Sequence, residues 1–284
     1  MDVVYEPSAL REACERFRRE GHRVGLVPTM GALHAGHLAL VEEVRRRGAA
    51  RIVVTVFVNP LQFGPNEDFA RYPRTLPEDI ARCQAAGVDL VFAPAREAMY
   101  PPGFVSEVRV GRLTQVLEGV FRPGHFDGVT TVVAKLFQLV GPSVAVFGRK
   151  DYQQWRVLSR MVADLDMPIE MHGMPTVREA DGLALSSRNR YLSPEERARA
   201  LGIAEGLRRA LAAFDEGERD PRKLEQLARA PIEARFDAVD YVAVADADDL
   251  QPLDRVAERA VLAVAARIGR TRLIDNVVLG EDRL

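Results

Sequence analysis

The run of residues 51–59, RIVVTVFVN, constrains the fold more than any other stretch of this chain. It is continuous and β-branched rather than alternating, as strands are when both faces of a parallel sheet are covered. A second apolar run stands at 24–27, and residues 88–93 and 143–147 supply two more strands. Helical patterns fill the gaps over 77–86 (opened by Thr75-Leu76-Pro77), 129–139 and 152–165. Strands alternating with helices at this spacing predict an α/β fold, a doubly wound parallel sheet over residues 1–175. Ligands of such sheets sit beyond the carboxyl ends of the strands.

After about residue 175 the pattern changes. Ser193-Pro194-Glu195-Glu196 is a strong helix start, with a capping serine, proline at the first position and acids in the first turn. An Ala-, Leu- and Arg-rich helix is expected to about Phe214, then a charged loop at 215–220 and a second helix. Strand-like runs at 239–245, 260–268 and 273–279 close the chain. Residues 176–284 therefore read as a second, smaller α+β domain.

Composition narrows the function classes. A formal net charge of −2 over 284 residues gives no general attraction to nucleic acid. No apolar stretch approaches the ~20 residues that span a bilayer, and the N-terminal segment has early acids and no signal-like apolar block. Cys14 and Cys83 fall in helical patterns with no CxxC spacing, so they are expected as buried thiols of a cytoplasmic protein. Only three of the 39 Lys and Arg residues are lysine: Lys135, Lys150 and Lys223. Lysine is a compact ammonium suited to phosphate, so its rarity draws attention to Lys150.

Four motifs can carry chemistry, and three of them follow predicted strands. Residues 24–40, VGLVPTMGALHAGHLAL, read as a strand, a glycine-bearing turn and a helix start carrying His34 and His37. Residues three apart share a helix face, and a helix N-terminus suits phosphate. The plain alternative is a helix cap with two solvated histidines, but two of only five histidines standing in a strand–turn–helix context favour a site. Val58-Asn59-Pro60-Leu61-Gln62-Phe63 leaves the next strand with two neutral amides, suited to a hydroxyl or carboxylate or simply to a turn. Phe147-Gly148-Arg149-Lys150-Asp151-Tyr152-Gln153-Gln154 follows the fourth strand and opens a helix. Arg122-Pro123-Gly124-His125-Phe126-Asp127-Gly128 places a cation and a histidine in a glycine-rich connection before a helix.

His34-Ala-Gly-His37 resembles the HxGH element of the nucleotidyltransferase superfamily. The longer string Pro-Thr-Met-Gly-Ala-Leu-His-Ala-Gly-His is similar to that of the pantothenate synthetases, which join pantoate to β-alanine through a pantoyl-adenylate. The resemblance continues in order through VNP-x-QF, the 122–129 string and FG-x-KD-x-x-Q. It ends in the segment Asp181-Gly182-Leu183-Ala184-Leu185-Ser186-Ser187-Arg188-Asn189, which stands where the superfamily has its flexible KMSKS loop. Arg149 departs from the family's common glutamate, and Leu185 from its usual methionine.

The resemblance implies a site in which Met30, Gly31, His34, Gly36 and His37 contact ATP from the first motif. Gly148, Lys150 and Asp151 would do so from the FG-x-KD turn, and Val177, Leu185, Ser186, Ser187 and Arg188 from the loop. Thr29, Asn59, Gln62, Arg122, His125 and Gln154 would face pantoate and β-alanine. His34, His37, Lys150 and Arg188 would be the catalytic set, with His37 the better candidate for a proton donor. Mg²⁺ would be held mostly by ATP and water, with Asp151 the nearest protein ligand. The loop is expected to move, and a homodimer is what the family implies. Two other readings stay open at this point: another small nucleotidyltransferase with an acid or phosphoester substrate, and an idle nucleotide-binding module.

Overall fold

The computed structural model describes residues 1–65 and 67–284. The chain runs β1 (Asp2–Val4), α1 (Pro7–Arg19), β2 (Val24–Thr29), α2 (Ala35–Arg46), β3 (Arg51–Val56), α3 (Leu76–Ala85), β4 (Leu90–Phe92) and α4 (Arg96–Met99). It continues through α5 (Glu118–Phe121), α6 (His125–Val140), β5 (Ser143–Gly148), α7 (Tyr152–Asp164) and β6 (Ile169–Met174). Helices α8 (Pro194–Asp215) and α9 (Pro221–Glu233) then precede β7 (Ala238–Asp246), β8 (Ala260–Ile268) and β9 (Thr271–Leu279). Single 3-10 turns stand at Pro60–Gln62, Arg149–Asp151 and Ser187–Tyr191.

The first six strands form one parallel sheet in the order β1-β4-β3-β2-β5-β6. From β2 the chain winds outward through β3 to β4, then returns to lay β5 on the other side of β2 and continues to β6. The winding direction therefore reverses between β2 and β5, the crevice where ligands of doubly wound sheets bind. One face is covered by α1, α6 and α7, through Leu10, Val133, Phe137 and Leu158 packed on Leu26, Val53 and Ala145. The other is covered by α2 and α3, through Val41, Val44 and Cys83 on Val27, Val54 and Val146. Both faces are apolar because both are buried, which is why the strand sequences do not alternate. Cys14 and Cys83 are free and buried, and desolvation pushes each thiol up to about 11.

The remaining strands form an antiparallel sheet, β7-β8-β9. One face holds α8 and α9 through Ile203, Leu207, Leu224 and Ile232 against Leu262, Val264 and Val277. Its other face meets the first sheet's layer, where Val261, Ala263 and Val278 pack with Phe126, Tyr152 and Val157. Helix α8 starts at the expected box: Ser193 accepts from the Glu196 N–H at 3.2 Å while Glu196 accepts from the Ser193 N–H at 2.9 Å.

Two strands escape the hydrophobic pattern. β1 has only three residues, and β6 (IEMHGM) is an edge strand whose Glu170 is exposed and whose His172 is half-buried. Helix α6 begins at His125, four residues before its expected start, because Gly124 turns the chain at φ +78° and His125 and Phe126 are already buried. Among the described residues no helix is long and apolar enough to cross a membrane.

Candidate active site

The carboxyl ends of β2, β3 and β5 open into a cleft of about 220 Å³. Every residue that the sequence placed in the site lines it except Gly31, whose N–H donates to Thr29 Oγ1 at 3.1 Å.

His34 is the N-cap of α2 and His37 its third residue, so the pair closes a reciprocal box. Nδ1 of His34 accepts from the Gly36 N–H at 3.1 Å, and Nδ1 of His37 accepts from the His34 N–H at 3.3 Å. The rings lie 4.0 Å apart between centroids. A neutral imidazole that accepts at Nδ1 carries its proton on Nε2. Both rings are therefore helix caps and Nε2–H donors at once, so the cap reading and the site reading were never exclusive. Gly36 serves this arrangement directly, since a Cβ there would stand 2.9 Å from Cε1 of the His34 ring.

Burial fixes the charge state. Desolvation, then the positive charge of Lys150, pulls His34 down to about 4. Desolvation, then His34 and Lys150, pulls His37 down to about 3. Near neutral pH neither ring is charged. Each ring can then donate a hydrogen bond through Nε2–H to an oxygen in the cleft. The turn before them is held by Asp79 of α3, which accepts from the N–H groups of Ala32 (3.0 Å) and Leu33 (2.7 Å). Ala32 needs that support, since it sits at φ +49°.

The amide side of the cleft is equally specified. Asn59 is 1% exposed; its Nδ2 donates to Gly128 O and to Gln62 Oε1, both at 3.0 Å. Its Oδ1 accepts from Tyr100 Oη at 2.8 Å and from the Leu61 N–H at 3.3 Å. The Gly128 carbonyl can only accept and the Leu61 N–H can only donate, so the Asn59 amide has one orientation, and it fixes that of Gln62. The Gln62 NH₂ is thereby turned toward Met30 Sδ, 3.2 Å away. Gly128 is required for this contact: a Cβ would stand 2.3 Å from Leu61 O. The hydrogen bonds of Asn59 are thus taken within the protein, one of them by Gln62.

His125 is engaged on both nitrogens, at 2.8 Å from Gln62 O through Nδ1 and 3.0 Å from Arg122 Nη1 through Nε2. The carbonyl must accept and the guanidinium must donate, so this ring is the Nδ1–H tautomer. Burial, reinforced by Arg122, pulls it down to about 4. Arg122 is itself held by Glu67, with Nε at 2.8 Å and Nη2 at 2.6 Å from the two carboxylate oxygens. Gln154 lines the same cleft from α7.

The part of the cleft around Lys150 and Arg188 carries cations. Lys150 stands beside Asp151, with 3.9 Å between Nζ and Oδ2. Arg188 follows Ser187 on the loop and is gripped by Asp68 in a bidentate pair, with Nε at 3.0 Å and Nη2 at 2.9 Å. Burial alone would raise the Asp68 carboxyl, but the hydrogen bonds and charge of Arg188 outweigh it and hold the group below its usual range. Tyr72 Oη lies 3.2 Å from Ser187 Oγ, with the Arg188 guanidinium 6.0 Å above the Tyr72 ring. The loop itself is tied down: Leu185 N–H donates to Val177 O at 2.9 Å, and Asn189 Nδ2 to Ala184 O at 3.0 Å. Among the described residues no cluster of three metal-ligating side chains occurs. Asp151, beside Lys150, is the one carboxylate among the described residues lining this cleft and is half-exposed, which would fit a Mg²⁺ held mainly by ligand oxygens and water.

The sequence reading missed Asp68, Asp79, Tyr72 and Glu67. Asp79 had a signal, as an acid in the first turn of the helix opened by Thr75. The others lie in the irregular segment between β3 and α3, where no periodicity marks a partner.

A switch-point cleft with a histidine pair at a helix start, a lysine turn and a Ser-Ser-Arg loop defines a nucleotide-binding α/β enzyme of the HxGH nucleotidyltransferase type. The family model for pantoate-beta-alanine ligase matches residues 2–278. The chain is 52% identical over 283 residues to the pantothenate synthetase of Moorella thermoacetica, covering 98% of this chain and 99% of that one. It is 51% identical over 284 residues to that of Geobacter sulfurreducens, covering all of both. The crystal structure of pantothenate synthetase from Thermus thermophilus superposes with a TM-score of 0.92 at 50% identity, over 98% of this chain and 99% of that one. Pantoate-beta-alanine ligase from Francisella tularensis, solved in complex with beta-gamma ATP and beta-alanine, superposes with a TM-score of 0.80 at 31% identity, over 100% and 99%. The chain belongs to the pantoate–β-alanine ligase family, the pantothenate synthetases.

Proposed function

We propose that the protein ligates (R)-pantoate and β-alanine at the expense of ATP, through a pantoyl-adenylate, releasing pyrophosphate and AMP. The observation that carries this reading is the division of one cleft into two chemistries. Neutral amides with the apolar Val129, Val132 and Leu136 line it, and so do the Nε2–H donors with Lys150 and Arg188. The amides suit a small hydroxy acid and the cations a triphosphate.

In the first half-reaction an oxygen of the pantoate carboxylate attacks the α-phosphorus, and the bond to the bridging oxygen of pyrophosphate breaks. Gln62 and Gln154 hold the acid in line, Asn59 and His125 holding Gln62 and Arg122 in place. His34 and His37 donate Nε2–H groups to phosphate oxygens, and Lys150 and Arg188 balance charge gathering on the departing pyrophosphate. Mg²⁺, when bound, neutralises phosphate charge, and Asp151 is the residue here that would hold it. In the second half-reaction the amine of β-alanine attacks the acyl carbon, and AMP leaves with the former carboxylate oxygen. A second cavity of about 460 Å³ shares Arg122, Lys150, Asp151, Ser186 and Arg188 with the first, is lined by Arg71 and Arg270 as well as by Glu67, Asp68 and Glu118, and is the route this reading gives to departing pyrophosphate.

The same reading takes residues 1–175 as the substrate-binding domain and 176–284 as its partner, in a cytoplasmic homodimer. Pyrophosphate release tests the activity: it should require both ATP and (R)-pantoate, and release without pantoate would return the chain to the wider nucleotidyltransferase class.

A further inference from the structure

We propose that Asp275 and Asn276, adjacent on β9, are positioning residues for the phosphate site. Asn276 clamps the turn that carries Lys150, and Asp275 clamps the loop that carries Arg188. The proposal rests on the adenylate-forming reading above and assigns the C-terminal sheet a part in it.

Successive strand residues face opposite sides of a sheet. On β9, Val277 and Leu279 are buried against α8 and α9, whereas Val278 is buried against Tyr152 and Val157 of α7. Asn276 shares the Val278 side and meets the first domain. Its Nδ2 donates to Arg149 O at 2.9 Å and to Lys150 O at 2.8 Å. Those carbonyls belong to the 3-10 turn Arg149–Asp151. Both can only accept, so the amide orientation is fixed and both of its N–H groups are used.

Asp275 points the other way. Its carboxylate takes Arg178 in a bidentate pair at 2.6 and 3.0 Å. The same guanidinium donates to Gly182 O and to Asn276 O, each at 3.1 Å, and Arg178 bridges to Ala184 across the base of the loop. Asp275 and Asn276 are each 4% exposed, and neither is among the residues lining the nucleotide cleft. Asp275 does border the adjoining cavity of about 460 Å³, so it is for Asn276 that an effect on the chemistry must pass through the turn it holds. Two neighbouring side chains on one strand set the spacing between Lys150 and Arg188, the two cations assigned to the triphosphate.

Asn276→Asp is nearly isosteric, yet turns acceptor oxygens toward two carbonyl oxygens; Asp275→Asn keeps shape and removes the charge facing Arg178. Hydrogen exchange of the nucleotide-free protein should accelerate at residues 149–151 in Asn276→Asp and at 178–185 in Asp275→Asn. Exchange across β7 and β8 should remain as in wild type. Single-turnover pyrophosphate release should fall about tenfold or more in Asn276→Asp, with little further loss when the change is made in a Lys150→Ala background. Unchanged exchange at 149–151, or an equal fold loss in both backgrounds, would overturn the assignment for Asn276. Unchanged exchange at 178–185 would overturn it for Asp275. Should Asn276→Asp fail to fold, Asn276→Ala, which only removes the donors, is judged by the same two readouts. A wild-type protein that releases no pyrophosphate would defeat the adenylate reading instead, and the exchange data would still decide whether the clamp exists.

Discussion

Asp68 and Arg188 form a two-point ion pair across the mouth of the cleft, 3.0 Å at Nε and 2.9 Å at Nη2. The carboxylate comes from the segment between β3 and α3 and the guanidinium from the loop at 181–189. Nη1 is left to reach a phosphate oxygen, so the pair aims the cation without consuming it.

Asp68→Ala should therefore slow pyrophosphate release about tenfold, whereas Arg188→Ala should cost about a hundredfold. The Asp68 effect should vanish in the Arg188→Ala background, since one residue acts through the other. A faster Asp68→Ala enzyme would mean that the carboxylate competes with phosphate rather than orienting its partner.

The histidine pair makes a prediction about tautomers. Carbon and nitrogen NMR should show Nε2–H for His34 and His37 and Nδ1–H for His125. All three stay neutral from pH 8 down to about 5, because burial lowers each well below the usual imidazole value of 6.5. The unfolded chain takes up these protons first as pH falls, so their contribution destabilises the fold progressively below about 6.5, toward 4 and 3. A midpoint near 6.5 for any of the three would contradict the packing described.

His37→Ala removes one Nε2–H donor. Adenylate formation should slow about a hundredfold, with pantoate affinity changed far less. Rapid-quench measurement of pyrophosphate at the wild-type rate would take His37 out of the chemistry.

Gln62→Ala and Gln154→Ala should each raise the pantoate requirement about tenfold and leave ATP binding nearly intact. Asn59→Ala should behave like Gln62→Ala, since its loss frees the Gln62 amide to turn. Lys150→Ala should weaken ATP and spare pantoate. Calorimetry with each ligand checks the split, and a Lys150→Ala protein that binds ATP normally would break it.

The fold was legible wherever burial is two-sided or caps are strong. Residues 51–59 announced a covered parallel strand, and Ser193-Pro194-Glu195-Glu196 marked α8 at its first residue. β6 was not, because an edge strand carrying Glu170, His172 and Gly173 has no apolar pattern to read. The motif residues were legible as a set because they leave adjacent strands, so that sheet order alone brings His37, Gln62 and Lys150 together. What supports them was not. Asp68 meets Arg188 across 120 residues and Asn276 meets Lys150 across 126, and no local spacing encodes either contact. Local reading put Gln62 beside substrate with Asn59 as its neighbour, but gave no sign of the hydrogen bonds by which Asn59 holds Gln62 and His125 meets Arg122.

The most direct test of the account is the fate of the carboxylate oxygens of pantoate. With pantoate labelled by ¹⁸O in its carboxylate, one labelled oxygen should appear in AMP for each amide formed, because that oxygen attacks the α-phosphorus and stays there. Label found in inorganic phosphate, or AMP free of label while amide forms, would contradict the pantoyl-adenylate and with it the roles given to His37, Lys150 and Arg188.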